Sequence, residues 1–306
     1  AAPALARRVQ AVTMFSRSRQ RPEMGRYKEI IMTNSDNSKA PVLLVHGMWS
    51  DANTLQDVRD AFDDAGYSVE ALTLPYHRSK QEHSSSSLAA LAGARLEDYV
   101  DAIVEAIQHQ SRPPILVGHS MGGLLAQLAA AKVPCERLIL LSSAAPAGIN
   151  GLGISVIRTL GRNMLRFPLW KKFTEMRLAN VQYGVANRQT PEVQQYITDN
   201  STYESGMATF QISMAPLLGR RSAAHVEVSR IQCPVLIMGG TEDRITPLRV
   251  QRKIAQRFGD QARLVEVQGC CHWSVGGRYF PQIRATMLDW VAAADAPAVA
   301  GRASAA

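Results

Sequence analysis

The sequence predicts an α/β architecture: a mostly parallel central sheet with flanking helices and a helical cap inserted late in the chain. Three observations carry this. Six short apolar runs lack the alternation of a half-exposed sheet, as strands buried on both faces do. Helically spaced stretches separate most of them, the order that parallel pairing through crossovers requires. One interval, from Pro146 to Pro234, is several times longer than a normal crossover and itself contains helix-like spacing.

The elements follow in order. Val42–Val45 is the first run, and Asn53 is placed to cap a helix over 53–65. Ser68–Leu74 is the second run. Ser84–Ser87 reads as a flexible surface loop, and the helix expected over 91–109 sets Leu91, Leu96, Val100, Ile103, Val104 and Ile107 on one face. Ile115–Val117 and Leu138–Leu141 enclose an Ala- and Leu-rich helix over 121–132. The long interval offers helical pieces near 151–166, 171–180, 191–199 and 205–217, and Val235–Met238 and Leu264–Val267 complete the sheet. The expected domains are a flexible basic arm over 1–26, a core over 27–147 and 225–290, a helical cap or lid over 148–224, and a low-complexity tail over 291–306.

Composition removes several classes. Of 306 residues, 46% are hydrophobic and 20% charged, which excludes a wholly disordered, collagen-like or coiled-coil chain. No stretch approaches the ~20 apolar residues that cross a bilayer, and the first thirty residues hold no apolar block suited to secretion. A soluble, cytoplasmic protein is expected. The net charge of +8 sits in two places. Residues 1–26 carry six arginines against Glu23, and residues 148–224 carry nine Lys/Arg against four Asp/Glu. No nucleic-acid-binding signature accompanies them, so nucleic acid is not an expected partner. The excess reads as solvated helix faces, or more sharply as a basic lid that meets anionic substrates or a lipid surface. Cys135, Cys233, Cys270 and Cys271 match no spaced zinc pattern and are expected as reduced thiols. Cys135 and Cys233 each precede an apolar run and could be neighbours. Neither metal nor cofactor is expected.

Chemistry concentrates where strands end. Gly118-His119-Ser120-Met121-Gly122 follows the third run directly and opens a helix, the strand-to-helix setting of a nucleophile elbow. A serine hydroxyl needs a base and a group that orients the base. Asp243 lies in Gly240–Pro247 just after the fifth run, and His272 in Gly269–Trp273 after the sixth. Each alone could be a helix cap or a packed loop histidine; together they fall at matching strand ends. An oxyanion pocket needs two backbone N–H groups, assigned to Met121 after the serine and Met48 in the His46-Gly47-Met48-Trp49 loop. Trp49, His119 and Trp273 are candidates to line the substrate pocket, with His46 bracing its loop.

On these motifs the chain resembles the α/β-hydrolase-fold serine hydrolases of the carboxylesterase and lipase kind, over residues 40–146 and 225–290. The resemblance implies Ser120 as nucleophile, His272 as base, Asp243 as acid and residues 148–224 as lid. It implies hydrolysis of a carboxylic ester through an acyl-enzyme, and Met164, Met176, Met207 and Met214 of the long interval suggest an adaptable apolar pocket, hence a medium-sized hydrophobic substrate. Thioesterase, acyltransferase and perhydrolase activities would use the same triad, and a ligand-binding receptor of this fold is a further alternative. Two departures stand out: Leu74-Pro75-Tyr76-His77-Arg78-Ser79 where the family often has Gly-His-Gly-x-Ser, and Cys270-Cys271 before the histidine.

Overall fold

The computed structural model describes residues 39–164 and 166–295. The basic arm expected over 1–26 therefore lies outside the described residues, as do residues 296–306 of the expected tail. Strands are numbered in chain order: β1 Val42–Val45, β2 Val69–Leu72, β3 Ile115–His119, β4 Arg137–Leu141, β5 Phe173–Glu175, β6 Tyr203–Ser205, β7 Val235–Gly240 and β8 Ala262–Val267. Six of them form one parallel sheet in the order β2-β1-β3-β4-β7-β8, while β5 and β6 pair antiparallel.

In the six-stranded sheet every residue of β1, β3, β4 and β7 is buried, and the edge strands β2 and β8 are partly exposed. The absence of alternation in the runs has a direct cause, because successive side chains enter two different cores. Leu43, Val45, Leu116, Leu138, Leu140 and Ile237 face one core, packed with residues of α3 (Leu96–Gln108), α4 (Met121–Ala130) and α9 (Leu248–Phe258). Val42, Leu44, Val117, Ile139, Leu141 and Met238 face the other, with Val58 and Phe62 of α1 (Gln56–Asp64) and Ile283 and Met287 of α10 (Phe280–Asp295). Parallel register then aligns the carboxyl ends: Val45 pairs with Gly118, His119 with Leu141, and Gly240 with Val267.

Four expectations change. The helix over 91–109 is two helices, α2 (Ser85–Gly93) and α3, parted at Ala94-Arg95. Ser84–Ser87 is not a loop but the cap and first turn of α2, with the Ser87 N–H donating to Ser84 Oγ at 3.2 Å. Serine's readiness to bond nearby backbone makes it common both in loops and at caps, and only the apolar turn behind it distinguishes them. The piece near 171–180 is a 3₁₀ turn at Leu169–Lys171, strand β5 and a single turn, α6 (Leu178–Asn180). Val291–Asp295, assigned by composition to the tail, continues α10, with Val291 fully buried. Alanine-rich sequence is low in complexity but high in helix propensity.

Between β4 and β7 lie α5 (Ile154–Met164), β5, α6, α7 (Pro191–Asp199), β6 and α8 (Gly206–Leu218). Thr190 caps α7 with Pro191 in the first turn, and Ser205 caps α8. No helix of the described residues is long and apolar enough to cross a membrane.

Candidate active site

The turn from β3 to α4 places Ser120 at φ 55° and ψ −120°, in the left-handed half of backbone space that costs a non-glycine residue energy. Its surroundings hold it there: Ser120 N–H donates to the Leu141 carbonyl at 3.0 Å, and the Ser120 carbonyl accepts from Gly123 at 3.0 Å and Ala144 at 2.8 Å. The flanking glycines are steric requirements. A Cβ on Gly118 would fall on the Gly122 carbonyl, and one on Gly122 would fall on the carbonyls of Val45 and His46.

The loop after β7 carries Asp243, and the loop after β8 carries His272. The two backbone N–H groups of Ile245 and Thr246 donate to Asp243 Oδ1, each at 2.8 Å. Asp243 Oδ2 lies 2.9 Å from His272 Nδ1, and His272 Nε2 lies 2.9 Å from Ser120 Oγ. Ser120, Asp243 and His272, drawn from three strand ends, thus form one continuous hydrogen-bonded chain, with exposures of 9%, 6% and 4%. Burial would raise the Asp243 carboxyl, but the facing His272 charge, its hydrogen bond and the two backbone amides outweigh burial and hold it below the ordinary aspartate value. An ionised Asp243 accepts from His272 Nδ1–H and leaves Nε2 as the acceptor that faces the serine.

Thr246, which sequence reading did not single out, completes this chain. Its hydroxyl is 2.9 Å from Asp243 Oδ2 and 2.8 Å from the Ser142 carbonyl, so one proton serves two acceptors. The available signal was its position three residues after the aspartate, the spacing at which Ser and Thr side chains return to a neighbouring turn.

Met121 opens α4, where the helix makes no use of its first N–H groups. Met48 and Met121 both line a cavity of about 100 Å³ that reaches Ser120, walled mainly by Ile149, Leu152, Val156, Ile212 and Pro216. Trp49, His119 and Trp273 line a second cavity of about 400 Å³ that holds Ser120 and His272, with Ser50, Asn53, Lys80, Asn200 and Ser201 at its polar wall. Leu160 and Ile245 belong to both cavities, so the serine stands where an apolar space meets a polar one.

Two further histidines act as struts. His46 Nε2 accepts from Leu74 N–H at 3.0 Å, which leaves Nδ1–H to donate to the Gly47 carbonyl at 2.8 Å. His119 Nε2 lies 3.0 Å from the His272 carbonyl and steadies the backbone of that residue. Burial, reinforced by neighbouring histidines, lowers both to about 3, so both are neutral at pH 7. The departures noted in sequence also find their places. Cys270 and Cys271 are buried, and burial pushes both thiols up, away from nucleophilic character. His77 is fully buried against Glu204 of β6, with Nε2 to Oε2 at 3.0 Å. Burial opposes its charge, yet the Glu204 carboxylate prevails and raises it above the ordinary imidazole value.

Comparison with known proteins agrees with this architecture. A monoacylglycerol lipase of Mycolicibacterium smegmatis is 24% identical over 244 residues, 76% of this chain and 80% of that protein. A mouse monoglyceride lipase is 27% identical over 197 residues, 62% of this chain and 61% of that protein. The crystal structure of a Paleococcus ferrophilus monoacylglycerol lipase superposes with a TM-score of 0.61 at 20% identity, covering 83% of this chain and 96% of that one, a likeness of fold. The profile of the Alpha/beta hydrolase family matches residues 42–279, well over half of the sequence, and the chain belongs to that family.

Proposed function

We propose that the protein is a serine esterase that cleaves a carboxylic ester through an acyl-enzyme. The observation that carries this reading is the chain Asp243–His272–Ser120, with both links at 2.9 Å and every member buried. Ser120 Oγ attacks the ester carbonyl as His272 Nε2 takes its proton. The oxyanion is received by the N–H groups of Met48 and Met121, and His272 returns the proton to the departing alcohol. Water, activated by the same nitrogen, then releases the acid. Asp243 stays ionised and stabilises the imidazolium at both stages.

The two cavities support a division of the substrate. The apolar space takes the acyl chain, and the polar wall around Lys80, Asn200 and Ser201 suits a small hydrophilic alcohol. The names of the two lipase relatives point the same way, and a monoacylglycerol is the proposed substrate class. The test is hydrolysis of nitrophenyl butyrate and of a medium-chain monoacylglycerol by the native protein and by Ser120→Ala. A loss of ~10³-fold or more in the variant is expected; equal rates in both would end the assignment. Thioester substrates and peroxide as acceptor, run in the same panel, decide between hydrolysis and its variants.

One observation also favours contact with a lipid surface. Ile154, Phe167 and Leu217, at 87%, 83% and 78% exposure, lie on the segment between β4 and β7, as do the exposed Lys171, Lys172, Arg220 and Arg221. Co-sedimentation with vesicles rich in anionic phospholipid, lost in an Ile154→Ser/Leu217→Ser variant, is the expected result; no pelleting of the native protein would exclude it.

A further inference from the structure

Of the two N–H groups assigned to the oxyanion, that of Met121 is fixed by α4, whereas Met48 lies in a loop and must be aimed by its neighbours. On the upstream side the core does this, since His46 links the Gly47 carbonyl to the Leu74 amide. On the downstream side the partners come from the antiparallel β5–β6 pair and the residue just before β6. Trp49 Nε1–H donates to Thr174 Oγ1 of β5 at 3.0 Å. The N–H of Thr202, just before β6, donates to the Trp49 carbonyl at 2.9 Å, and its hydroxyl donates to the Ser50 carbonyl at 3.2 Å. Trp49 itself sits at φ 56°, a conformation that a bulky side chain keeps only when its surroundings over-determine it.

The strand pair is in turn anchored deeply. Thr174 Oγ1 donates to the Glu204 carbonyl at 3.4 Å. The Glu204 carboxylate, wholly buried, meets His77 Nε2 at 3.0 Å and accepts from Tyr99 Oη at 3.1 Å and Ser205 N–H at 2.7 Å. The other ring nitrogen of His77 faces the Pro75 carbonyl at 3.1 Å. An acceptor on each nitrogen calls for a proton on each, so a paired imidazolium and carboxylate tie β6 to the loop after β2 and to α3.

We propose that the β5–β6 strand pair, with Thr202 just before β6, is a positioning element of the oxyanion pocket: Thr174 and Thr202 hold Trp49 in its left-handed turn and thereby aim the Met48 N–H at the carbonyl under attack by Ser120. The inference rests on the esterase reading and gives the inserted segment a part in rate as well as in substrate fit. Both threonines are positioning residues, since neither touches the reacting atoms.

Thr174→Val, close to isosteric, removes the acceptor of Trp49 Nε1–H. A fall in kcat of about 10- to 100-fold on nitrophenyl butyrate is expected, below the full loss of one oxyanion donor, with KM changed less than about twofold, the sign of an interaction made in the transition state. Affinity for a trifluoromethyl ketone, whose adduct on Ser120 carries an oxyanion, should fall in parallel. Thr174→Ser, which keeps the hydroxyl, should restore the native values. Trp49→Phe removes the same bond from its other end, and the double variant should be no worse than the more impaired single one. Native kcat in Thr174→Val, an equal loss in Thr174→Ser, unchanged ketone affinity, or full additivity in the double variant would each overturn the proposal. If Ser120→Ala is as active as the native protein, the esterase reading itself fails; if Ser120 is essential and Thr174→Val is fully active, only the positioning role fails.

Discussion

Replacing Asp243 by Asn tests the proposed proton relay with a side chain of the same shape. The native carboxylate divides its work: Oδ1 accepts from Ile245 and Thr246 N–H at 2.8 Å, and Oδ2 faces His272 Nδ1 at 2.9 Å. An amide keeps one oxygen only. If that oxygen serves the two backbone donors, the –NH₂ turns to His272, Nδ1 must become the acceptor, and the ring proton moves to Nε2, where it confronts Ser120 and abolishes the base. The opposite flip keeps the useful tautomer but leaves two buried N–H groups facing an –NH₂, at about 1–3 kcal/mol each. The productive arrangement therefore lies about 2–6 kcal/mol above the unproductive one, which converts to a loss of roughly 30- to 10⁴-fold in kcat/KM, its upper end matching the ~10⁴ known for this change in a serine triad. Initial rates on nitrophenyl butyrate, with circular dichroism to show an intact fold, measure it. A folded Asn variant within threefold of native kcat/KM would refute the tautomer argument.

Other outcomes follow from the same geometry. Gly122→Ala should fail to fold or lose more than about 3 kcal/mol, because its Cβ would collide with two β1-loop carbonyls that cannot retreat; denaturant titration near the native midpoint would expose the error. His46 and His119, lowered to about 3 from 6.5, bind protons in the unfolded chain before the folded one. Stability should therefore decline as pH falls through this window, by up to ~1.4 kcal/mol per pH unit per histidine. Unfolding by urea at several pH values, with a shallower slope in His119→Asn, checks the sign. Cys135 and Cys233 hold their sulfurs 3.2 Å apart at the amino ends of β4 and β7, the sheet edge opposite Ser120. Glutathione disulfide should take two hydrogens from them and leave a cross-link with the esterase rate unchanged; peptide mapping that finds both thiols still alkylated would contradict this.

Legibility in the sequence followed burial and length. β1, β3, β4 and β7 could be read because each is apolar on both faces, and the loops bearing Ser120 and Asp243 because each follows such a run; the loop bearing His272 follows the apolar stretch Leu264–Val267 of the edge strand β8. The β5–β6 pair could not: strands of three residues are too short to show a period, and Phe173-Thr174-Glu175 mimics a helical turn equally well. Glu204 reads in sequence as an ordinary solvated charge, and only the tertiary fold supplies His77 and Tyr99 to justify its burial. Thr246 fell in a recognised loop but was masked by the aspartate beside it. The break between α2 and α3 did leave a trace, since Gly93 stands at the end of the first helix, where glycine commonly stops one.

The bonds that run from Thr174 and Thr202 to Trp49 bear on protein engineering. A segment grafted between the termini of β4 and β7 without a counterpart of Thr174 would leave this tryptophan indole unpartnered, so, on the positioning proposal, such chimaeras should turn esters over slowly. Retaining Phe173–Glu175 and Thr202–Ser205 as a fixed graft boundary would let the helices around them be exchanged while the attacking centre keeps its shape.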